Sequence, residues 1–277
     1  MIELWLNTQR SEMTRQGYRR DIDSFNRYVG KELRSLTLAD VLAYRQHLES
    51  VLTNGKPYSQ STINRRVNVV KSCLKFATQQ GYLGVNPAIA VKLPQQPNAI
   101  NERYLTEADV LRMIDRTENS RDRALLKLLY CAGLRVSELC GMTWRDVSQS
   151  DDGKGVVTVM GKGQKQRSIA IGVDLCRELV TMRGASAIES PVFASRKGKG
   201  HLDPSQVCRI VATAGKNADI DRPVSPHWLR HAHATHSLDR GASIKLVQTT
   251  LGHSSIQTTG RYLHSRPSDS SGLYLAI

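Results

Sequence analysis

The sequence predicts a mainly α protein with two domains: a helical N-terminal domain and a mixed α+β domain that carries a small antiparallel sheet. Three patterns support this fold class. Apolar residues recur at helical spacing through most of residues 1–93. A segment with two prolines and mostly uncharged side chains follows, which is typical of a linker. Two short apolar segments around a glycine-containing turn then predict a hairpin within residues 155–171.

Three helices are predicted in the first domain. The first covers residues 11–29, with apolar side chains on one face and arginines on the others. The second covers residues 37–52, with Thr37 as its N-cap, and the third starts near Ser59 or Ser61 and runs to residue 80. Basic side chains of the third helix alternate with apolar ones, which fits either a solvated face or a DNA-facing surface. They are Arg65, Arg66, Lys71 and Lys75.

The domain boundary is predicted at residues 94–103. Pro94 and Pro97 disfavour a helix and favour an extended, semi-rigid segment. We therefore expect a helical domain over residues 1–93 and a second domain over residues 104–277.

The beginning of the second domain alternates between helices and glycine breaks. Thr106 predicts the N-cap of one helix. A second, amphipathic helix covers residues 120–131 and stops at Gly133. Arg135 follows this break directly, and the next helix is predicted to begin near residue 137. A packed backbone around Arg135 would direct its head group.

A β-hairpin follows. Residues 155–160 and 167–171 are predicted strands, and Lys162 lies at the tip of the turn between them. A lysine in this position, taken alone, more often serves solubility.

The C-terminal region is predicted to be helical again. One helix covers residues 227–239 with Gly241 as its C-cap, and a short helix covers residues 244–251 before Gly252. His231 and His233 suggest a metal site if they lie on a strand. On a helix they point about 200° apart, so we interpret them, with His236, as packing or polar-network residues.

The charge of the chain indicates a polyanionic partner. Lysine and arginine number 39 and aspartate and glutamate 25, for a net charge of +14 spread over both halves of the chain. Such a distribution favours two folded units that both face double-stranded DNA, as a C-shaped clamp, although a solvated basic surface has the same charge.

Cysteine usage and hydropathy indicate the compartment. Five cysteines without CxxC spacing predict free, buried thiols in a reducing compartment. The sequence has no signal pattern and no apolar stretch near the roughly 20 residues that span a bilayer. We therefore expect a cytoplasmic protein without a membrane partner, associated with the nucleoid if the source is bacterial.

Residues 227–262 contain side chains that a core does not require: His227, Arg230, His253 and Tyr262. Together they suit attack by a phenol on a phosphodiester, because the resulting tyrosine ester can be reversed by an alcohol. The phenol has an ordinary pKa of about 10 and needs cationic neighbours, and arginines grip phosphate oxygens as a metal does elsewhere. Tyr274 is the rival nucleophile.

These residues resemble the C-terminal motif of the tyrosine recombinases, the phage integrase family. Residues 132–139, Ala-Gly-Leu-Arg-Val-Ser-Glu-Leu, are similar to the family's first-arginine motif, and Gly161-Lys162-Gly163 stands where its hairpin lysine belongs. The resemblance implies a Xer-like pair of domains, a core-binding domain and a catalytic domain. It fills six catalytic positions: Arg135, Lys162, His227, Arg230, His253 and Tyr262.

The resemblance also implies a role for each residue. Tyr262 attacks the scissile phosphate to give a 3′-phosphotyrosyl link and a free 5′ hydroxyl. Arg135 and Arg230 stabilise the pentavalent phosphate, and Lys162 protonates the leaving oxygen.

His227 accepts the proton of the tyrosine or assists its transfer, and His253 donates a hydrogen bond to a phosphate oxygen. Glu138, three residues after Arg135, is expected to orient that guanidinium, although an ordinary exposed glutamate would fit the same position.

The implied reaction is site-specific strand exchange through a Holliday junction, for integration, excision or dimer resolution, by a tetramer of identical chains. The retained ester bond makes ATP unnecessary and the arginines replace a metal, so no cofactor is expected. The C-terminal tail, 271–277, is expected to dock on a neighbouring protomer. DNA contacts are expected from Arg65, Arg66, Lys71, Lys75, Lys197 and Lys199.

Three alternatives stay open at this point. A type IB topoisomerase would use the same chemistry to relax DNA without site preference. A relaxase would need a divalent metal, and a regulator with a silent site would only bind DNA. The sequence leaves open the target site and the need for an accessory protein.

Overall fold

The computed structural model describes residues 1–9, 11–53, 55–94, 104–161, 165–195, 200–253 and 255–260. The chain divides into two compact units, Met1–Asn98 and Ala99–Ile277. Residues 95–103 of the predicted linker lie outside the described part of the chain.

The first unit is a helical bundle. Ser11, Thr37 and Ser59 each accept a hydrogen bond from a backbone N–H three residues on, so they cap three helices within a residue of the predicted starts. The helices are α1 (Ile2–Asn7), α2 (Glu12–Val29), α3 (Leu38–Ser50) and α4 (Gln60–Gln79), with a 3₁₀ turn at Leu33–Ser35.

Two features of this unit were not predicted. Helix α1 precedes the first predicted helix, and its Trp5 stacks on Tyr18 with ring centroids 5.4 Å apart. Helix α3 ends at Ser50 because strands β1 (Leu52–Thr53) and β2 (Lys56–Pro57) form a short antiparallel hairpin.

The core of the first unit joins all four helices. Trp5, Phe25, Tyr44 and Leu74 are almost fully buried within it. Phe25 and Tyr44 meet edge to face at 5.0 Å, an arrangement that adds to the stabilisation from burial.

The second unit combines helices with one small sheet, so the predicted mixed α+β architecture is confirmed. Strands β3 (Val147–Gln149), β4 (Gly155–Met160) and β5 (Gln166–Ile171) form the antiparallel sheet in the order β3-β4-β5. Strand β3 was not predicted, since its three residues are too few for an alternating pattern. The helices are α5 (Glu107–Asp115), α6 (Ser120–Cys131), α7 (Val136–Gly141), α8 (Val173–Arg183), α9 (Pro204–Asn217), α10 (Pro226–Asp239), α11 (Ile244–Leu251) and α12 (Ile256–Gly260), with a 3₁₀ turn at Trp144–Asp146.

The inner face of the sheet packs on the helices. Val157 and Val159 of β4 lie opposite Ile169 and Arg167 of β5. The three aliphatic residues belong to one core with α6 and α10. Arg167 is thus a charged residue on the core-facing side of the strand.

Two sequence predictions require correction. Gly241 was predicted as the C-cap of α10, but the cap is Arg240, and Gly241 follows it in the left-handed region at φ +87°. The thiols were expected to be buried. All five cysteines are free, yet Cys131 and Cys208 are exposed.

Candidate active site

The C-terminal end of α11 binds three arginines from different parts of the second unit. Gly252 ends this helix in the left-handed conformation, at φ +62°. Carbonyls in the last turn lack helical partners and lie at the negative end of the helix dipole, so they attract cations. The acceptors and donors are Thr250 O and Arg167 Nε at 2.8 Å, Leu251 O and Arg230 Nη2 at 2.6 Å, and Gly252 O and Arg135 Nη2 at 3.1 Å.

Glu138, in the first turn of α7, joins two of these arginines. Its Oε2 accepts from the backbone N–H of Arg135 and its Oε1 from Arg135 Nη1, both at 2.8 Å. The guanidinium of Arg167 donates to both carboxylate oxygens, also at 2.8 Å. Only 3% of the Glu138 side chain is exposed. The expected pairing of Glu138 with Arg135 is therefore present, with a second arginine added.

The charge state of Glu138 follows from these bonds. Burial alone would raise the pKa of its carboxyl group. The hydrogen bonds from Arg167 and Arg135 outweigh burial and lower the pKa to about 2. The carboxylate is thus ionised at neutral pH and holds both guanidinium groups.

Arg230 lies beneath the surface on α10, with 3% exposure. It donates to Leu251 O, as above, and through Nη1 to Gly133 O. Gly133 adopts φ +57°, and a Cβ there would lie 2.6 Å from Leu251 Cδ2 and 2.9 Å from His233 Cδ2. A glycine is therefore needed where the turn after α6 passes α10 and α11.

His253 comes immediately after Gly252. Its Nδ1 lies 2.9 Å from the hydroxyl of Thr259, a fully buried residue of α12. Burial, together with the charges of Arg230 and Arg135, lowers the pKa of His253 to about 4. The ring is therefore neutral at physiological pH and donates from only one nitrogen.

His227 is exposed at the second residue of α10, one turn before Arg230. Its ring lies edge-on to that of His231, with centroids 4.0 Å apart. The other histidines of α10 bond inward: His233 Nδ1 to Tyr130 O at 2.7 Å, and His236 Nδ1 to Tyr130 Oη at 2.9 Å. The polar-network interpretation of His233 and His236 is confirmed.

Several predicted residues lie outside the described part of the chain: Lys162, Lys197, Lys199, Tyr262 and the rival Tyr274. Two described residues, Gly161 and Gly260, lie next to or close to Lys162 and Tyr262 in sequence. A Cβ at Gly161 would lie 3.5 Å from Arg167 Nη1 and 4.0 Å from Glu138 Oε1, so the turn that leads to Lys162 starts beside this pair. Helix α12 (Ile256–Gly260) is the last described element and lies two residues before Tyr262.

Arg167 was not among the predicted site residues. The available signal was an arginine in the inward register of strand β5, where Ile169 and Ile171 follow at alternate positions. A charge on the core side of a strand needs a buried partner, and the structure supplies Glu138.

Four of the basic residues predicted to contact DNA lie on α4, and three of these also make contacts within the first unit. Arg65 forms an ion pair with the buried carboxylate of Asp21, although 53% of the arginine side chain is exposed. Arg66 lies over the ring of Tyr58, 4.4 Å from its centroid. Lys71 donates to the carbonyl of Val91, and Lys75 is exposed.

The described residues hold neither an evident metal site nor a membrane-spanning helix. They contain no group of three or more His, Cys, Asp or Glu side chains placed to hold a metal ion. None of their helices is both long and apolar enough to cross a bilayer.

Comparison with family models places the site in context. Residues 103–269 match the phage integrase family, and residues 1–81 match the N-terminal SAM-like domain of phage integrases. The chain belongs to this family. It is a Xer-like tyrosine recombinase, a site-specific DNA recombinase, as predicted from the motifs.

Relatives at about one-third identity match over nearly their full length. The chain is 35% identical to the tyrosine recombinase XerC of Myxococcus xanthus, over 91% of this chain and 87% of that protein. It is 35% identical to XerD of Pseudomonas aeruginosa, over 94% and 89%.

Solved structures show the same fold. A lambda integrase dimer bound to a core site has a TM-score of 0.76 at 20% identity, covering 97% of this chain and 94% of that one. XerH bound to its difH substrate has a TM-score of 0.72 at 20% identity, covering 92% and 77%.

Proposed function

We propose that this recombinase cuts DNA with the phenol of Tyr262 and rejoins it with a hydroxyl of another strand. The Tyr262 Oη–phosphorus bond forms as the bond from phosphorus to the 5′ oxygen breaks. Lys162 gives its proton to that oxygen, and His227 accepts the proton of the phenol or assists its removal. The product is a 3′-phosphotyrosyl link and a free 5′ hydroxyl. The reverse reaction by the 5′ hydroxyl of a second strand conserves the ester bond, so no ATP is consumed.

The observation that carries this proposal is the convergence of Arg135, Arg230 and His253 on the end of α11. Attack on a phosphodiester places additional negative charge on the non-bridging oxygens, and preorganised cations stabilise it. Three arginines and one carboxylate give the described site a net positive charge. A guanidinium has five N–H donors, more than the two that Arg135 uses on Glu138 and Gly252.

His253 is assigned as a hydrogen-bond donor to a phosphate oxygen. With Nδ1 directed at the Thr259 hydroxyl, the neutral ring can carry its proton on Nε2. That tautomer allows Nε2 to donate to an anionic oxygen without adding a charge to a site already rich in arginine.

Binding of double-stranded DNA is assigned to both domains. In the first domain, residues 1–93, the contacts come from α4 through Arg65, Arg66, Lys71 and Lys75. In the second domain, residues 104–277, Lys197 and Lys199 contribute. Such residues neutralise phosphates and fix the register of the protein on the duplex without specifying sequence.

The finer assignments are proposals as well. The active assembly is a homotetramer on two recombination sites, with residues 271–277 docking on a neighbouring protomer, and it proceeds through a Holliday junction. The DNA substrate and the five free cysteines support a cytoplasmic location with nucleoid association.

The test is covalent capture. Wild type, Tyr262→Phe and Tyr274→Phe would be incubated in EDTA with DNA from the gene's own neighbourhood. This DNA is nicked near candidate sites, so that the short fragment with the new 5′ hydroxyl dissociates and the covalent product cannot be religated. On a denaturing gel, wild type and Tyr274→Phe should give a protein–DNA band and Tyr262→Phe none. A band that survives in Tyr262→Phe but not in Tyr274→Phe would move the nucleophile to Tyr274. Loss of the wild-type band in EDTA alone would show a metal requirement.

A further inference from the structure

Arg167 bonds to two separate parts of the candidate active site and lies near a third. Its Nε donates to Thr250 O at the end of α11, and its two Nη groups donate to both oxygens of Glu138, all at 2.8 Å. A Cβ at Gly161, next to Lys162, would lie 3.5 Å from Nη1 of the same guanidinium, so the guanidinium lies near the start of the hairpin turn. One side chain of β5 thus bonds to both α7 and the end of α11.

The buried position of Arg167 is unfavourable for the stability of the fold unless the side chain has a specific role there. The side chain lies on the inner face of β5 and is only 10% exposed. Taking a guanidinium out of water is unfavourable unless it is paired and fully hydrogen-bonded. Neutralising Glu138 is not a sufficient reason, because Arg135 already pairs with this carboxylate.

The geometry indicates what Arg167 adds. Without Arg167 the carboxylate would keep two bonds from Arg135, one from the backbone N–H and one from Nη1. Only the second involves the guanidinium, and the last side-chain torsion of a glutamate has a broad energy profile. The two parallel bonds from Arg167 fix the plane of the Glu138 carboxylate, and Oε1 then faces Arg135 Nη1 at 2.8 Å. Bidentate arginine–carboxylate pairs provide this kind of directional constraint.

We infer that Arg167 is a positioning residue of DNA cleavage: it holds Glu138, and through Glu138 the guanidinium of Arg135, in the orientation that grips the scissile phosphate. The inference rests on the proposed function, in which Arg135 binds that phosphate. The bond from Arg167 to Thr250 O also fixes this ion-pair cluster relative to the helix end that precedes His253.

Arg167→Lys separates charge from geometry. Lysine keeps the positive charge, but its compact ammonium cannot bond both Glu138 oxygens and Thr250 O in the same fork. Loss of a residue that orients a metal ligand typically costs about 10- to 100-fold in affinity or activity, and we take the same scale for a residue that orients Arg135. We expect a single-turnover cleavage rate lowered by about 10- to 100-fold, with DNA affinity within about twofold of wild type.

The decisive experiment is a double-mutant cycle with Arg135→Ala. The substrate is nicked DNA with sulfur replacing the 5′ bridging oxygen of the scissile phosphate, because the better leaving group keeps slow variants measurable. If Arg167 acts through Arg135, Arg167→Lys should lower the cleavage rate by about 10- to 100-fold when Arg135 is intact. In the Arg135→Ala background it should lower the rate by less than about threefold. The inference would be overturned if Arg167→Lys lowered the cleavage rate equally in both backgrounds, or if it did not lower the rate when Arg135 is intact.

Controls separate folding from positioning. Lys127→Met breaks another interhelical ion pair of the same unit, Lys127 with Glu178 at 2.9 Å, and should leave cleavage unchanged. If Arg167→Lys does not melt cooperatively, Arg167→Gln repeats the cycle with an uncharged donor. The absence of any covalent product in wild type would instead refute the proposed function, an outcome distinct from equal cleavage by wild type and Arg167→Lys.

Discussion

The charge of Glu138 makes a measurable contribution to the stability of the second unit. Its pKa falls from 4.5 to about 2 on folding. One pKa unit corresponds to about 1.4 kcal/mol, so the ionised carboxylate contributes about 3 kcal/mol to the free energy of unfolding at pH 7. Because the folded-state pKa is lowered, this contribution is complete above the unfolded-state pKa and is lost as the pH falls from about 5 to 2.

We therefore predict that Glu138→Gln lowers the free energy of unfolding by about 3 kcal/mol at pH 7 and by less than half as much at pH 3. The measurement is urea unfolding followed by tryptophan fluorescence in a Trp5→Phe background. Trp144 and Trp228 then report on the second unit alone.

The comparison between variants isolates one carboxyl group, since the other acidic residues titrate alike in both proteins. Glu118→Gln, at an exposed position, should change the free energy of unfolding by less than about 0.5 kcal/mol at either pH. A difference between wild type and Glu138→Gln that stays constant from pH 7 to pH 3 would refute the assigned pairing.

Three further predictions follow from the geometry. Gly133→Ala should lower the free energy of unfolding by about 3 kcal/mol, because the new Cβ would lie 2.6 Å from a neighbouring side-chain carbon at φ +57°; urea unfolding measures this. Thr259→Val should slow covalent capture of nicked DNA by roughly fivefold, the equivalent of about 1 kcal/mol, by removing the hydrogen bond to His253. Lys75→Ala should weaken DNA binding and reduce the slope of log affinity against log salt by about 1, as measured by fluorescence anisotropy.

Each of these has a matched control. Gly241→Ala also places an alanine at a positive φ, but its Cβ would meet no atom within 4 Å, so it should cost only about 1 kcal/mol. Thr259→Ser restores the hydroxyl and should recover most of the rate. Lys31→Ala removes a lysine already paired with Asp40 and should leave the salt slope closer to wild type. Equal effects of variant and control would contradict the corresponding explanation.

Local chemistry explains why so much of the helical framework was predictable. Ser11, Thr37, Ser59 and Thr106 cap helices through bonds to a backbone N–H three residues on, and such bonds depend only on adjacent sequence. The break at Gly133 and the bonds that Arg135 donates to Glu138 are equally local. These features were predicted because no distant residue is needed to form them.

The contacts of Arg167 could not be derived in this way. Its partners Glu138 and Thr250 are 29 and 83 residues away in sequence. Tertiary packing decides which side chains contact the end of a helix. Hydrophobic periodicity predicts which face of a strand is buried, but not which residues pack against that face. Strand β3 and the β1–β2 hairpin were missed for a related reason: pairing with adjacent strands, and not sequence pattern, stabilises such short segments.

The three arginines at the end of α11 bond to main-chain oxygens, which every amino acid possesses. Substitutions at Thr250 or Leu251 would therefore change packing without deleting an acceptor. Lineages could exchange the side chains of this helix while the guanidinium groups kept their places, provided that the helix still ended at the same point. Insertion or deletion of one residue in α11 would be far more damaging than most point mutations, because it would displace all three acceptors at once.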